Sequence, residues 1–168
     1  FPTTVRIARE IKALCPEITT VVGGPHVTGL PRYSLFDGID YAIAGEGEQA
    51  LLELLNALED GESVSNIANL VFREDGNVQV NPARPFIANL DSLPRPAWDL
   101  MNISAYKDPT YFPDSHLAMY TTRGCPYSCS FCASAVTWKR KVRYHSIENV
   151  IEQIKYIVNV LGIHDIMF

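Results

Sequence analysis

Two short β-branched runs, each cut off by glycine and each beside an amphipathic helical pattern, commit the first half of this chain to an α/β sheet. Ile18 to Val22 stops at Gly23-Gly24-Pro25, and Ile39 to Ala44 stops at Gly45. Before them, Val5, Ala8, Ile11 and Leu14 recur three apart among Arg6, Arg9, Glu10 and Lys12, which predicts a helix with one buried face, ended by Pro16. After them, Leu51, Leu54, Leu55 and Leu58 predict a second helix that Asp60-Gly61 terminates. Strands joined in this way lie parallel, and such sheets bind ligands at their carboxyl ends. Here those ends carry Gly23-Gly24-Pro25-His26 and Gly45-Glu46-Gly47-Glu48.

Leu70 to Arg73 and Val78 to Val80, joined through Glu74-Asp75-Gly76-Asn77, predict a small hairpin. Pro82, Pro85, Pro94, Pro96, Pro109 and Pro113 then punctuate a stretch without periodicity, read as a connector over residues 81–115. A second unit follows: a strand over Leu117 to Thr121 and a cysteine-bearing loop. Ser146 then caps a helix that carries Ile147, Val150, Ile151, Ile154, Ile157, Val158 and Leu161. Gly162 ends that helix and Ile163 to Phe168 begins another strand, completing one repeat of a parallel β/α barrel. The chain opens almost at once into a helix and stops within a strand-like run, so a fragment of a longer protein, inactive alone, is expected.

The 168 residues are 47% hydrophobic and 20% charged, the make-up of a globular protein rather than a disordered one. A net charge of −5 gives no general attraction to nucleic acid or anionic lipid. The run Lys139, Arg140, Lys141 and Arg143, flanked by Trp138 and Tyr144, is the local exception, and in an acidic chain it reads as a solvated loop. Apolar runs are strand-sized, and Phe1-Pro2-Thr3-Thr4 lacks the charged start of a signal peptide, so a cytoplasmic protein without a membrane span is expected.

Three of the four cysteines, Cys125, Cys129 and Cys132, fall within eight residues, whereas Cys15 stands alone. That clustering suits a metal centre in a reducing compartment. At C-x-x-x-C-x-x-C spacing each thiolate can hold one iron of a cubane cluster and leave the fourth iron open to a substrate. S-adenosylmethionine (SAM) can chelate an open iron through its amino and carboxylate groups, which sets its sulfonium beside an electron source. Zinc would need a fourth ligand, such as His116 or His145, and normally a second cysteine knuckle that this sequence lacks. A ferredoxin would need a fourth cysteine in the run.

Arg123-Gly124-Cys125-Pro126-Tyr127-Ser128-Cys129-Ser130-Phe131-Cys132, at the end of a strand, resembles the signature of the radical SAM superfamily. The resemblance implies a full or partial TIM barrel in which the three cysteines ligate a 4Fe-4S cluster and Phe131 lies near the SAM adenine. Upstream, Val21-Val22-Gly23-Gly24-Pro25-His26, Asp40 to Glu48 and Leu90-Asp91-Ser92-Leu93-Pro94-Arg95-Pro96 are similar to the cobalamin-binding domain and connector of B12-dependent radical SAM proteins.

That likeness implies an α/β architecture in three parts. Residues 1–80 are the carboxyl-terminal part of a Rossmann-like cobalamin-binding domain, 81–115 a proline-rich connector, and 116–168 the first β/α unit of a radical SAM barrel. It implies that Gly23, Gly24, Gly45, Glu46 and Gly47 line a groove for the nucleotide tail of cobalamin, where a missing side chain lets backbone approach a ligand. Glu46 and Glu48 equally suit the positive end of the helix that follows, and a turn histidine such as His26 is commonly just solvated. The family's D-x-H-x-x-G segment would precede Phe1, outside this chain. The implied cofactors are the cluster, SAM and cobalamin. The implied partners are a small-molecule substrate and an electron donor such as flavodoxin or ferredoxin, with no nucleic acid. Methyl transfer to an unactivated centre is the leading reaction, ring formation or rearrangement the alternative, and a non-catalytic iron-sulfur or zinc module the rival of a different class.

Overall fold

A computed structural model describes residues 1–105 and 115–168, which divide into two compact units. The first comprises Phe1–Ile87 with Ser128–Lys139, the second Ala88–Tyr127 with Arg140–Phe168. Pro109 and Pro113 of the connector lie outside the described residues.

The first unit starts with α1 (Pro2–Leu14), where Pro2 occupies a first-turn position that needs no N–H partner. Cys15 precedes Pro16, whose ring disfavours helical backbone in its neighbour, and Cys15 leaves the helix at φ −141°, ψ 82°. The strands are β1 (Val21–Val22), β2 (Tyr41–Ile43), β3 (Leu70–Glu74) and β4 (Asn77–Val80), adjacent in that order. β1 and β2 run parallel, as the pattern predicts, and β3 and β4 extend the sheet antiparallel. Glu74 pairs with Asn77 across Asp75 (φ 48°) and Gly76 (φ 79°), two positive φ values in a row that fit the strand twist in a two-residue hairpin. Helix α3 (Glu48–Asp60) ends at Gly61 in the left-handed conformation.

Successive strand residues face opposite ways, so the sheet has two cores. Ala42 and Val71 pack with Val5 and Ala8 of α1, and with Val27, Leu35 and Ile39. Ile43, Leu70 and Phe72 pack with Ala50, Leu54 and Ala57 of α3, and with Ile67. The buried stripe of α3 therefore differs from the leucine repeat: Leu54 is fully buried, while Leu51, Leu55 and Leu58 are exposed. Alanine at two of the three buried positions lets the helix approach the sheet closely. Two five-residue helices that the sequence pattern does not announce complete this unit, α2 (Pro25–Gly29) and α4 (Ser134–Trp138), and they lie against each other.

In the second unit β5 (His116–Ala118) pairs in parallel with β8 (Asp165–Met167), connected through α5 (Ile147–Asn159). That is the expected β/α crossover. Its core gathers Trp98, Leu117, Met119, Ile157 and Ile163. Of the predicted apolar face of α5 only Ile157 is buried, and Ile147 and Ile151 are exposed. The predicted strand to Thr121 is shorter, because the chain turns after Ala118 into a separate antiparallel pair, β6 (Thr122–Arg123) with β7 (Arg143–Tyr144). The described part of the connector forms 3-10 turns at Leu90–Ser92, Trp98–Leu100 and Ile103–Ala105, and the Arg95 guanidinium lies 3.4 Å over the Tyr156 ring.

Candidate functional site

The first unit presents two glycine turns at the carboxyl ends of its parallel strands. Gly24 follows β1 with φ 94° and ψ −170°, a region open essentially to glycine alone. A Cβ built there would meet nothing within 4 Å, and one at Gly23 only the Ile43 carbonyl at 3.6 Å. A side chain would have room at either position, so the positive φ of Gly24, and not packing, is what calls for glycine in this turn.

Thr28 of α2 ties the two turns together: its hydroxyl donates to the Gly24 carbonyl at 3.0 Å and accepts from the Gly45 N–H at 2.9 Å. Gly45 has φ 86° and sits over Asn69, whose side-chain amide donates to the Glu46 carbonyl at 3.1 Å and accepts from the Arg84 N–H at 2.7 Å. Asn69 itself is buried at φ 71°. The Glu46 carboxylate accepts from the Ile87 N–H at 2.8 Å, so it fastens the turn to the chain beyond the hairpin. Gly47 places Glu48 in the first turn of α3. His26 stacks on Phe1, ring centroids 3.9 Å apart. Thr28 and Asn69, which sequence reasoning did not single out, are the side chains that hold these two turns. Thr28 carries a faint signal, a hydroxyl four residues after Gly24.

A cavity of about 690 Å³ lies at the other end of this sheet, lined by Lys12, Phe36, Asp37, Asp40, Tyr41 and Arg73. Its charges are largely spent internally. Lys12 pairs with Asp40 at 2.7 Å and donates to the Ile18 carbonyl at 2.6 Å, and Arg73 donates to the Leu35 carbonyl. Burial pushes the Asp40 carboxyl up, but hydrogen bonds from Lys12 and Thr20 outweigh it and hold the group below the usual carboxylate range. No residue of the two glycine turns lines this cavity.

The cysteine loop starts where β6 meets its partner strand. Gly124 has φ 103°, and a Cβ there would collide with the Lys141 carbonyl oxygen and come within 2.9 Å of its carbon. Only glycine fits against the segment that leads into that strand. Cys125, in the second unit, is half-buried; Cys129 and Cys132, in the first, are exposed; all are free thiols. The Cys132 N–H donates to the Cys129 carbonyl at 3.1 Å, and the Ser134 N–H, opening α4, points at Cys132 Sγ at 3.5 Å. Backbone N–H groups directed at cluster sulfurs are one way proteins tune such centres. Phe131 is 91% exposed, its ring available to stack. Trp138 lies 6.1 Å from Phe86, and Lys139 and Arg140 leave α4 with left-handed backbone.

Among the described residues no three His, Cys, Asp or Glu side chains form a set that could hold a metal ion. The donor chemistry nevertheless fits: three soft, accessible thiols suit an iron-sulfur cluster, and a metal commonly imposes the final shape of its own loop. Of the two histidines weighed as a zinc ligand, His145 is engaged at Nδ1 by Asp91 at 3.0 Å. Among the described residues no helix is long and apolar enough to cross a membrane.

The first unit is a mixed α/β sheet with glycine turns at the carboxyl ends of its parallel strands, and residues 1–55 match the B12 binding domain family. An uncharacterized methyltransferase of Pyrococcus horikoshii is 37% identical over 96% of this chain and 35% of that protein. The anaerobic magnesium-protoporphyrin IX monomethyl ester cyclase of Rubrivivax gelatinosus is 34% identical over 98% of this chain and 29% of that protein. The solved structure of the radical S-adenosylmethionine methyltransferase TsrM from Kitasatospora setae, with cobalamin and a 4Fe-4S cluster bound, shares the fold. It superposes with a TM-score of 0.68 at 21% identity, covering 96% of this chain and 32% of that one. The chain belongs to the family of radical SAM proteins that carry a B12-binding domain, and it spans about a third of the length of these relatives.

Proposed function

We propose that the protein carrying this chain is a cobalamin-dependent radical SAM methyltransferase, and that Cys125, Cys129 and Cys132 hold its 4Fe-4S cluster. The observation that carries this reading is the cysteine loop, three free thiols at cluster spacing in a chain whose residues 1–55 match the B12 binding domain family. When bound, the cluster would supply the electron that cleaves SAM, and cobalamin would carry the methyl group. The chain's own residues bind and orient. Gly23 and Gly24 present bare backbone to cobalamin, Thr28 and Asn69 hold the Gly45–Gly47 turn in register with it, and Glu46 pins that turn to Ile87. Gly124 lets the loop pass close under Lys141, the Ser134 N–H steadies Cys132, and Phe131 offers its exposed ring to the SAM adenine.

The substrate is a small molecule, the electron donor a low-potential protein such as flavodoxin or ferredoxin, and the compartment cytoplasmic. By its first and last parts the chain contributes residues 1–80 to the cobalamin domain and 116–168 to the barrel, with 81–115 between. A second reading, a radical cyclase, is favoured by the 34% identity to the Rubrivivax gelatinosus cyclase. Anaerobic reconstitution of the full-length protein with iron, sulfide and cobalamin, then reduction with methyl-labelled SAM, tests both. The methyltransferase reading expects 5′-deoxyadenosine together with labelled methylcobalamin, both lost in C125A, C129A and C132A. 5′-Deoxyadenosine without methyl transfer would support the cyclase, and a zinc protein giving no product would refute both.

A further inference from the structure

The connector motif Leu90 to Pro96 has no part in the site so far. We infer that Asp91 is a positioning residue for the cluster loop, fixing the return strand that holds the segment leading into Cys125. This rests on the cluster reading given under Proposed function.

The Asp91 carboxylate meets His145 Nδ1 at 3.0 Å, and its two oxygens accept from the Ser146 N–H at 3.1 and 3.2 Å. The carboxylate is itself aimed. Asn89 Oδ1 accepts from the Asp91 N–H at 3.0 Å, and Ser92 Oγ donates to the Asn89 carbonyl at 2.7 Å, which closes the turn. Hydrogen bonding from Ser146 first, against partial burial, and then from His145 holds the Asp91 carboxyl below the usual range, so it is ionised at neutral pH.

From His145 the path to the cysteine loop is short and made of direct bonds. The His145 N–H donates to the Thr121 carbonyl at 2.9 Å, Tyr144 pairs with Thr122 and Arg143 with Arg123, and Lys141 presses on Gly124, the residue before Cys125. The β6–β7 pair is two residues long on each side. An isolated pair of that length is not stable by itself and needs an outside anchor. Asp91 supplies such an anchor, because it grips His145 and Ser146 at the end of the pair away from the loop.

Helix capping alone does not explain the arrangement. Ser146 already caps α5 through its hydroxyl, which accepts from the Asn149 N–H at 3.1 Å. What Asp91 adds is the reciprocal bond to the cap residue's own N–H, which an acidic third helical residue supplies in a capping box and which Asn149 does not make here. It is delivered from 55 residues away, together with a hold on His145.

The test compares D91N, D91A and S146A with wild type in the full-length protein after anaerobic reconstitution. S146A is the stability comparator, because it removes the α5 cap and leaves Asp91 bonded to His145 and the residue-146 N–H. Readouts are iron and sulfide per folded protein, the rate of iron loss to a chelator, and the electron paramagnetic resonance spectrum of the reduced cluster with and without SAM. Removing a group hydrogen-bonded directly to a metal ligand costs about 10–100-fold in metal affinity, and Asp91, which acts through His145 and the β6–β7 pair, belongs at the low end of that range. We expect D91A to lose iron about tenfold faster with an altered spectrum, D91N to fall between, and S146A to match wild type. D91A or D91N behaving like S146A in chelator rate and spectrum would overturn the proposal. So would a D91A that unfolds while D91N keeps the wild-type spectrum. A wild-type protein that takes up no cluster would overturn both this proposal and the reading beneath it, and that outcome is visible before any variant is compared.

Discussion

Gly24 and Gly124 share a positive φ, 94° and 103°, but differ in what surrounds them, and that difference predicts unequal effects of the same substitution. At Gly24 a methyl group would meet nothing within 4 Å, so Gly24→Ala costs only the backbone strain, about 1–3 kcal/mol. At Gly124 the strain is joined by a collision with the Lys141 carbonyl oxygen, and that atom belongs to the backbone and cannot swing aside. Relief requires Lys141 to withdraw and the two-residue β6–β7 pair to open, which forfeits its ladder bonds at about 0.5–1.5 kcal/mol each. The expected loss for Gly124→Ala is therefore about 3–5 kcal/mol, at the upper end of single-substitution effects. Urea unfolding of the apo full-length protein, followed by circular dichroism, measures both variants without any contribution from bound cofactor. After reconstitution, Gly24→Ala should keep its iron and Gly124→Ala should lose most of it. Gly124→Ala within about 1 kcal/mol of Gly24→Ala would refute the close approach under Lys141.

Two further predictions follow from the first unit. Asn69→Gly keeps a residue suited to φ 71° but deletes the amide that holds Glu46 and Arg84, so it should cost about 1–3 kcal/mol and weaken cobalamin retention on gel filtration; unchanged retention would show that the turn holds itself. Asp40 stays ionised in the fold below the ordinary carboxylate value of 3.8, so the unfolded chain binds the proton first. Its stabilisation is present above that value and lost as the pH falls through the folded one. Asp40→Asn should flatten the acid limb of the stability curve in that window, and a curve parallel to wild type would refute the assignment.

The elements that local pattern specifies were readable before the structure. α1, α3 and α5 repeat apolar residues at helical spacing, the parallel strands end in glycine, and Asp75-Gly76 alone defines the hairpin turn. What escaped depends on partners distant in sequence. Helices of five residues such as α2 and α4 have no intrinsic stability and form where they can lie against each other. The leucine repeat of α3 gave the helix but not its buried face, because Ala50 and Ala57 look neutral in sequence and become buried through closeness to the sheet.

The site divides along the same line. Glycines and cysteines are legible because their chemistry is intrinsic: freedom to take a positive φ for Gly24 and Gly124, soft thiols at fixed spacing for Cys125, Cys129 and Cys132. The residues that hold them are polar side chains with no distinguishing composition. Thr28 reaches Gly45 across 17 residues, Asn69 reaches Glu46 across 23, and Asp91 reaches His145 across 54. The first two contacts stitch a glycine-bearing turn to a distant segment, and the third holds the strand pair that leads into the cysteine loop, so the placement of these turns rests on their supports as well as on the turns themselves. Substitutions at the supports should therefore leave the motifs intact in sequence and still unseat their cofactors, which is the outcome that Asn69→Gly examines in the first unit and Asp91→Ala in the second.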